Sequence, residues 1–243
     1  MTTIIVNADD FGLSEAVNYG IVSAHQHGIV KSTTMMANMS AVEHGLALLK
    51  QNPELKCGIH LTLSCGKPVL ENLKTIVDES GNFHRRITNE LIETFDINEV
   101  YEEFKAQIKK LQDLGIDLSH FDSHHHVHTL KGLEPVIRRL VEEYQLPIRG
   151  GFEYSMDYDK VVPVIDAFYK ETVEEAFFEK NLNMIAQYEF VDLMTHPAFV
   201  DDALVQTTSY ALDRIKEHKI LTAETVKNYL TKHNITIGSY KAL

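Results

Sequence analysis

Short apolar runs alternate along the chain with longer segments in which apolar residues recur every three or four positions, a pattern that predicts buried strands interleaved with amphipathic helices. Thr3 to Asn7 (TIIVN) reads as a first strand, and Ser14 as the N-cap of a helix carrying Ala16, Val17, Ile21 and Ala24. Ser32 to Met36 predicts a second strand, followed by a helix through Leu46, Leu48 and Leu49 that stops before Pro53. Residues 55 to 63 (LKCGIHLTL) form the next strand. From 64 to 86 the chain is irregular, with Gly66, Pro68 and the Gly81-Asn82 turn signal, so an inserted loop or hairpin is expected. The clearest helix is Asn98 to Leu114, with Val100, Phe104, Ile108 and Leu111 on one face and Gly115 as its stop.

Another strand begins near Leu118 and runs into a histidine cluster. A helix from Leu133 to Tyr144, the segment Leu146 to Arg149, a helix from Glu174 to Tyr188 and the strand Glu189 to Thr195 (EFVDLMT) follow. Helices near Tyr210 to Glu217 and Ala223 to His233 lead to a short terminal strand. Neither a repeat nor a Pro/Gly-rich linker divides the sequence, so one α/β domain over 1–243 with a mainly parallel sheet is expected.

Five of the predicted strands end on titratable groups: Asp9-Asp10, His60, Asp122 with His124, Arg149, and His196. The carboxyl ends of strands are where α/β barrels and open sheets place their chemistry. Polar loops would explain one or two such ends more comfortably than five.

Composition narrows the function. Of 243 residues, 44% are hydrophobic and 24% charged, the profile of an ordinary globular protein. The net charge of −12 repels phosphate backbones and anionic lipid, which argues against nucleic acid and membranes as partners. Cys57 and Cys65 are too few for a disulfide framework and read as free thiols. No secretion signal or membrane-length apolar run is visible, and a cytoplasmic setting is expected. Thirteen histidines are the anomaly, with five between His120 and His128.

The doublet Asp9-Asp10 is easier to tolerate if one carboxylate coordinates a cation and the other acts as a base; a helix-capping turn is the simpler explanation of a single Asp there. In the segment His120 to His128 (HFDSHHHVH), His124, His126 and His128 share a face if extended, and His124 and His128 do if helical. Either arrangement offers imidazoles to a transition metal, with Asp122 placed to orient one of them; a solvated histidine tract is the alternative. Arg149 could pair with a carboxylate in a cleft, and His196, fixed before Pro197, could protonate a leaving amine. Nucleophile-elbow, P-loop and CxxC motifs are missing.

The phrases NADDFG, GIHL, HFDSHHHVH and THPAFVD resemble the YdjC-like carbohydrate deacetylases, including the chitin-oligosaccharide deacetylases. The resemblance implies a deformed (β/α) TIM-like barrel of the glycoside hydrolase/deacetylase type, a divalent metal, commonly magnesium, and a homodimer. It matches Asp10, His60 and His124 to the metal ligands, with His128 as the geometric alternative to His124. Asp9 matches the base, Arg149 its assistant and His196 the acid. It also implies an acetylated amino sugar or chitooligosaccharide as substrate, yielding acetate and a free amine. Two imidazoles are unusual company for magnesium and point toward zinc, manganese or cobalt. Without tryptophan, sugar stacking falls to residues such as Phe11, Phe83, Phe152 or Tyr154. The rival functions are another metal-dependent amide or phosphoester hydrolase, which would use the same ligands, and a non-enzymatic metal-binding protein, which has no use for Asp9 or His196.

Overall fold

A computed structural model describes residues 2–243. Nine strands, all paired in parallel, form its centre: β1 (Thr2–Phe11), β2 (Ser32–Met35), β3 (Lys56–Leu61), β4 (Phe121–Ser123), β5 (Ile148–Arg149), β6 (Val161–Val162), β7 (Val164–Ile165), β8 (Phe190–Thr195) and β9 (Ile235–Gly238). The hydrogen-bonded order is β6-β5-β4-β3-β2-β1-β8-β7, while β9 lies against the first residues of β1. The two ends of this path, β6 and β7, are separated in sequence by Pro163 alone. Proline has no N–H to give to a ladder, so the stretch from Val161 to Ile165 changes neighbour there: the Val162 carbonyl accepts from Gly150 N–H, and the Pro163 carbonyl from Asp192 N–H at 2.8 Å. The sheet therefore closes through the chain itself, and the result is the deformed, nearly closed barrel expected from the resemblance.

Helices cover the barrel. They are α1 (Glu15–His27), α2 (Val42–Gln51), α3 (Asn89–Ile92), α4 (Ile97–Asp113), α5 (Glu134–Tyr144), α6 (Phe177–Lys180), α7 (Leu182–Ala186), α8 (Asp202–Thr207), α9 (Asp213–Leu221) and α10 (Glu224–Lys232). Ser14 caps α1 by accepting from Val17 N–H, as its position predicts. The four apolar residues read on α4 are fully buried against the sheet. Burying each contributes roughly 1.5–3 kcal/mol, and truncating Phe104 to alanine would cost about 3–5 kcal/mol. No helix among the described residues is long and apolar enough to cross a membrane.

Some boundaries differ from expectation. β1 continues to Phe11, with an irregularity between Ala8 and Phe11 where Asp10 takes a left-handed φ of 70°. The helix expected over 174–188 is two short ones broken at Asn181. The histidine cluster is neither extended nor α-helical: it is a 3-10 turn over His124–Thr129, in which His125 and His126 are left-handed. Residues 64–86 form an irregular insertion with one antiparallel bridge, Val77 to Phe83, closed by a turn at Gly81. Buried Glu103 of α4 pins it by accepting from the backbone N–H groups of Val69 and Leu70.

Candidate active site

Because the strands are parallel, their carboxyl ends share one face of the barrel, and there a cavity of about 270 Å³ opens. Asp9 and Asp10 come from β1, His60 from β3, His124, His125 and His126 from the turn after β4, His196 from the end of β8, and Arg214 from α9.

The adjacent carboxylates diverge because the left-handed backbone at Asp10 turns its side chain away from that of Asp9. Asp tolerates this conformation better than most residues, and such strain is kept where the surroundings enforce it. Each carboxylate meets its own arginine. Arg149 Nη1 donates to Asp9 Oδ2 at 2.7 Å and Nη2 to Asp9 Oδ1 at 2.8 Å, while Arg214 Nη2 donates to Asp10 Oδ2 at 2.7 Å. Burial opposes both negative charges, yet the guanidinium groups hold both carboxyls well below their usual range. Two carboxylates therefore stay ionised side by side.

Arg149 is fully buried beneath the cavity floor, with Asp122 Oδ2 3.1 Å from Nη1 and Asp192 Oδ2 accepting from Nε at 2.7 Å. Three carboxylates around one guanidinium leave a net negative charge in the barrel, into which His60 fits. Its Nδ1 donates to Asp122 Oδ1 at 2.7 Å, and its Nε2 lies 3.2 Å from Asp10 Oδ1. Burial opposes protonation of His60, but Asp122, Asp10 and Asp9 together push it up to about 10.

His124 lies beside His60, with ring centroids 5.9 Å apart, and its Nδ1 meets Ser64 Oγ at 2.9 Å. Burial pushes it down to about 3, so it is a neutral imidazole. The two left-handed residues that follow keep His125 and His126 on the cavity wall, then swing His128 into the core. There both ring nitrogens of His128 are engaged, Nδ1 with Ser123 Oγ at 2.5 Å and Nε2 with the Arg149 carbonyl at 3.1 Å. The alternative ligand of the cluster is thus turned away from the cavity.

Asp9, His60 and Asp122 each offer a ligand atom within 4.8 Å of the others. Two of these three residues already spend their oxygens on Arg149, Asn7 and Thr34. Unspent capacity lies one step toward the cavity. Asp10 Oδ1 is buried without a hydrogen-bond donor, His60 Nε2 faces it, and His124 is next to both. One carboxylate and two imidazoles, the first imidazole oriented by Asp122, fit a divalent transition metal.

His196 also lines the cavity. Burial and Arg214 push it down to about 4, so its resting form is neutral. Its backbone N–H donates to buried Glu217, which also accepts from the Tyr210 hydroxyl at 2.5 Å. Tyr169 and Tyr210, with rings 4.2 Å apart, complete the wall. These two, and not the aromatic residues expected for sugar stacking, face the cavity. Phe11 and Phe83 are buried in the core, and Phe152 and Tyr154 lie outside the cavity lining.

Sequence reasoning missed Arg214, Glu217, Asp192 and this tyrosine pair. Asp192 left a signal, a charged residue inside the apolar run EFVDLMT. The two residues on α9 left none, because α9 shows no apolar stripe from which an inward face could be read.

The YdjC-like protein family model matches residues 3–232. The chain is 44% identical over 226 residues to a carbohydrate deacetylase of Halalkalibacterium halodurans, covering 90% of this chain and 94% of the relative. It is 42% identical to a carbohydrate deacetylase of Vibrio campbellii, covering 99% and 96%. Among solved structures it superposes with a TM-score of 0.92 and 32% identity on a protein of Enterococcus faecalis V583 with a proposed role in cellobiose-phosphate cleavage, covering 99% and 98%. A CE4 esterase of Streptococcus mutans shares the fold alone, at a TM-score of 0.57 and 10% identity, covering 97% and 84%.

Proposed function

The chain belongs to the YdjC-like protein family, and from that premise we propose that it is a metal-dependent carbohydrate deacetylase, hydrolysing the N-acetyl group of an acetylated amino sugar or chitooligosaccharide to acetate and a free amine. The observation that carries this reading is the separation of Asp9 from Asp10 by two different arginines, which gives neighbouring carboxylates two distinct surroundings.

Asp10, His60 and His124 would hold the divalent ion, whose chemistry when bound is to polarise the acyl oxygen and acidify a water. The donor set suits zinc, manganese or cobalt better than magnesium. The remaining work belongs to the chain. Asp122, accepting from Nδ1, orients His60 so that Nε2 faces Asp10 and is the nitrogen left for the ion. Asp9, kept ionised and oriented by the Arg149 fork, accepts a proton from the attacking water. The same fork weakens Asp9 as a base, so its value lies in position.

His196 starts neutral, takes over from Asp9 the proton lost by the water and gives it to the departing nitrogen, while Glu217 fixes its backbone. Tyr169 and Tyr210 offer aromatic surface to a sugar ring. The experiment is acetate release from N-acetylglucosamine, diacetylchitobiose and longer oligomers by metal-free protein reconstituted with magnesium, zinc, manganese or cobalt. Release that depends on the added ion is expected. No release from any of them would overturn the proposal.

A further inference from the structure

The sequence ends in Ile237-Gly238-Ser239-Tyr240-Lys241-Ala242-Leu243, and the chemistry above uses none of it. Yet Tyr240 is among the most deeply buried side chains in the molecule, at 1% exposure. β9 runs parallel to β1 beside its first residues, entering at the amino-terminal end of the barrel and ending level with Ile5, in the half away from the cavity. From there Tyr240 enters the barrel between Ile5, Val162 and the partly buried Phe190.

Its slot is tightly built. The ring stacks on His120 with centroids 3.6 Å apart and planes 7° from parallel. His120 in turn fits only because residue 58 is glycine: a Cβ there would lie 2.4 Å from His120 Nδ1. At the inner end of the slot the Tyr240 hydroxyl donates to Asp192 Oδ2, the oxygen that also accepts from Arg149 Nε.

We propose that Tyr240 is a positioning residue for the reaction, fixing Asp192, through it Arg149, and through that guanidinium the carboxylate of Asp9. The inference rests on the deacetylase reading and assigns a part to the end of the chain, in the half of the barrel away from the cavity. Three side chains link the Tyr240 hydroxyl to the cavity, Asp192, Arg149 and Asp9, joined by direct hydrogen bonds. The vulnerable member is Asp192. Both of its donors sit on Oδ2, and Oδ1 has no hydrogen-bond partner among the described residues. Without the tyrosine hydroxyl, the carboxylate is held by Arg149 Nε alone and can turn about that bond. The guanidinium then loses the fixed anchor behind it, and the fork on Asp9 shifts with it.

A positional fault of this kind slows the chemical step and leaves ground-state binding alone, and a displacement of about 1 Å can cost up to about 100-fold. For Tyr240→Phe, which keeps the ring in its slot, kcat on diacetylchitobiose should fall about 10-fold, with KM within about 2-fold and metal content unchanged. Asp192→Asn should show the same kcat-selective loss, and the double variant should be no slower than Asp192→Asn alone. In ¹⁵N-arginine-labelled protein the Arg149 Nε–H resonance, identified by its loss in Arg149→Lys, should shift in Tyr240→Phe.

Full kcat in Tyr240→Phe, single losses that multiply in the double variant, or an unmoved Arg149 resonance would overturn the proposal. If Tyr240→Phe fails to fold, Asp192→Asn decides, and a KM effect without a kcat effect there sinks the relay. Absence of turnover by the unsubstituted protein on every acetylated sugar would instead remove the functional reading. The resonance would then still report whether Tyr240 and Arg149 are linked.

Discussion

Arg149 and Asp9, 140 positions apart in the chain, meet in a two-pronged, buried ion pair at the edge of the cavity. The same guanidinium also faces Asp122 and Asp192. Arg149→Met would leave three buried carboxylates without their cation, and stripping one partner from such a cluster costs about 3–5 kcal/mol. Urea unfolding should register a loss of that order, or a failure to fold. Arg149→Lys keeps the charge without the fork and should lose less. A loss below about 1 kcal/mol for the methionine variant would show that the cluster is neutralised in another way.

Metal binding should separate the histidines. In calorimetric titrations with zinc or manganese, His60→Ala and His124→Ala should lose stoichiometric uptake, whereas His128→Gln should keep it. Asp122→Asn, at the residue that holds His60 from the side away from the ion, should weaken affinity by about 10–100-fold. Full uptake by both His60→Ala and His124→Ala would refute the ligand set.

Asp9→Asn should keep the metal and lose turnover by about 10²- to 10⁴-fold, the usual consequence of removing a positioned base. Metal content by plasma emission and acetate release measured on one preparation decide the matter. If both fall together, Asp9 is a ligand or a folding residue.

For His196 the leaving group is the discriminating variable. An aryl acetate departs without a proton, so His196→Ala should retain a larger fraction of activity on it than on an acetamide. Equal fractional losses with unchanged metal would make His196 part of the cavity wall only.

Glu217 gives a pH signature in stability. Its burial pushes the folded carboxyl up to about 8 against 4.5 for the ordinary group. Between those values the folded protein holds a proton that the unfolded chain has released, so this group's contribution falls as pH rises through the window. Relative to the unsubstituted protein, Glu217→Gln should gain stability with rising pH, by about 1.4 kcal/mol per unit across that interval. Chemical denaturation at pH 5, 6.5 and 8 measures it. A constant difference would place the ionised carboxylate in the native state.

The strand ends were legible because a titratable residue closing an apolar run is conspicuous whatever its partners. Asp9, Asp10, His60, His124 and His196 all line the cavity, as reading the strand ends together suggests. The orientation of the histidine cluster was not legible. It depends on two consecutive left-handed residues, and nothing in a run of histidines reveals backbone sign. Likewise Arg214 lies on a helix with no apolar stripe to give away its inward face. β6 and β7 were missed for a related reason: strands of two residues around a proline are too short to display any period.

That split segment matters for more than the circumference of the barrel. A parallel sheet of this length would ordinarily present two rows of unpaired N–H and C=O groups, the template on which foreign strands aggregate. Here both margins of the path from β6 to β7 belong to the same five residues, Val161 to Ile165, each margin is two residues long, and the residue between them has no N–H to offer. These two margins are thereby closed to intermolecular β-pairing by their shortness and by Pro163, with β9 left as the sheet's remaining edge strand.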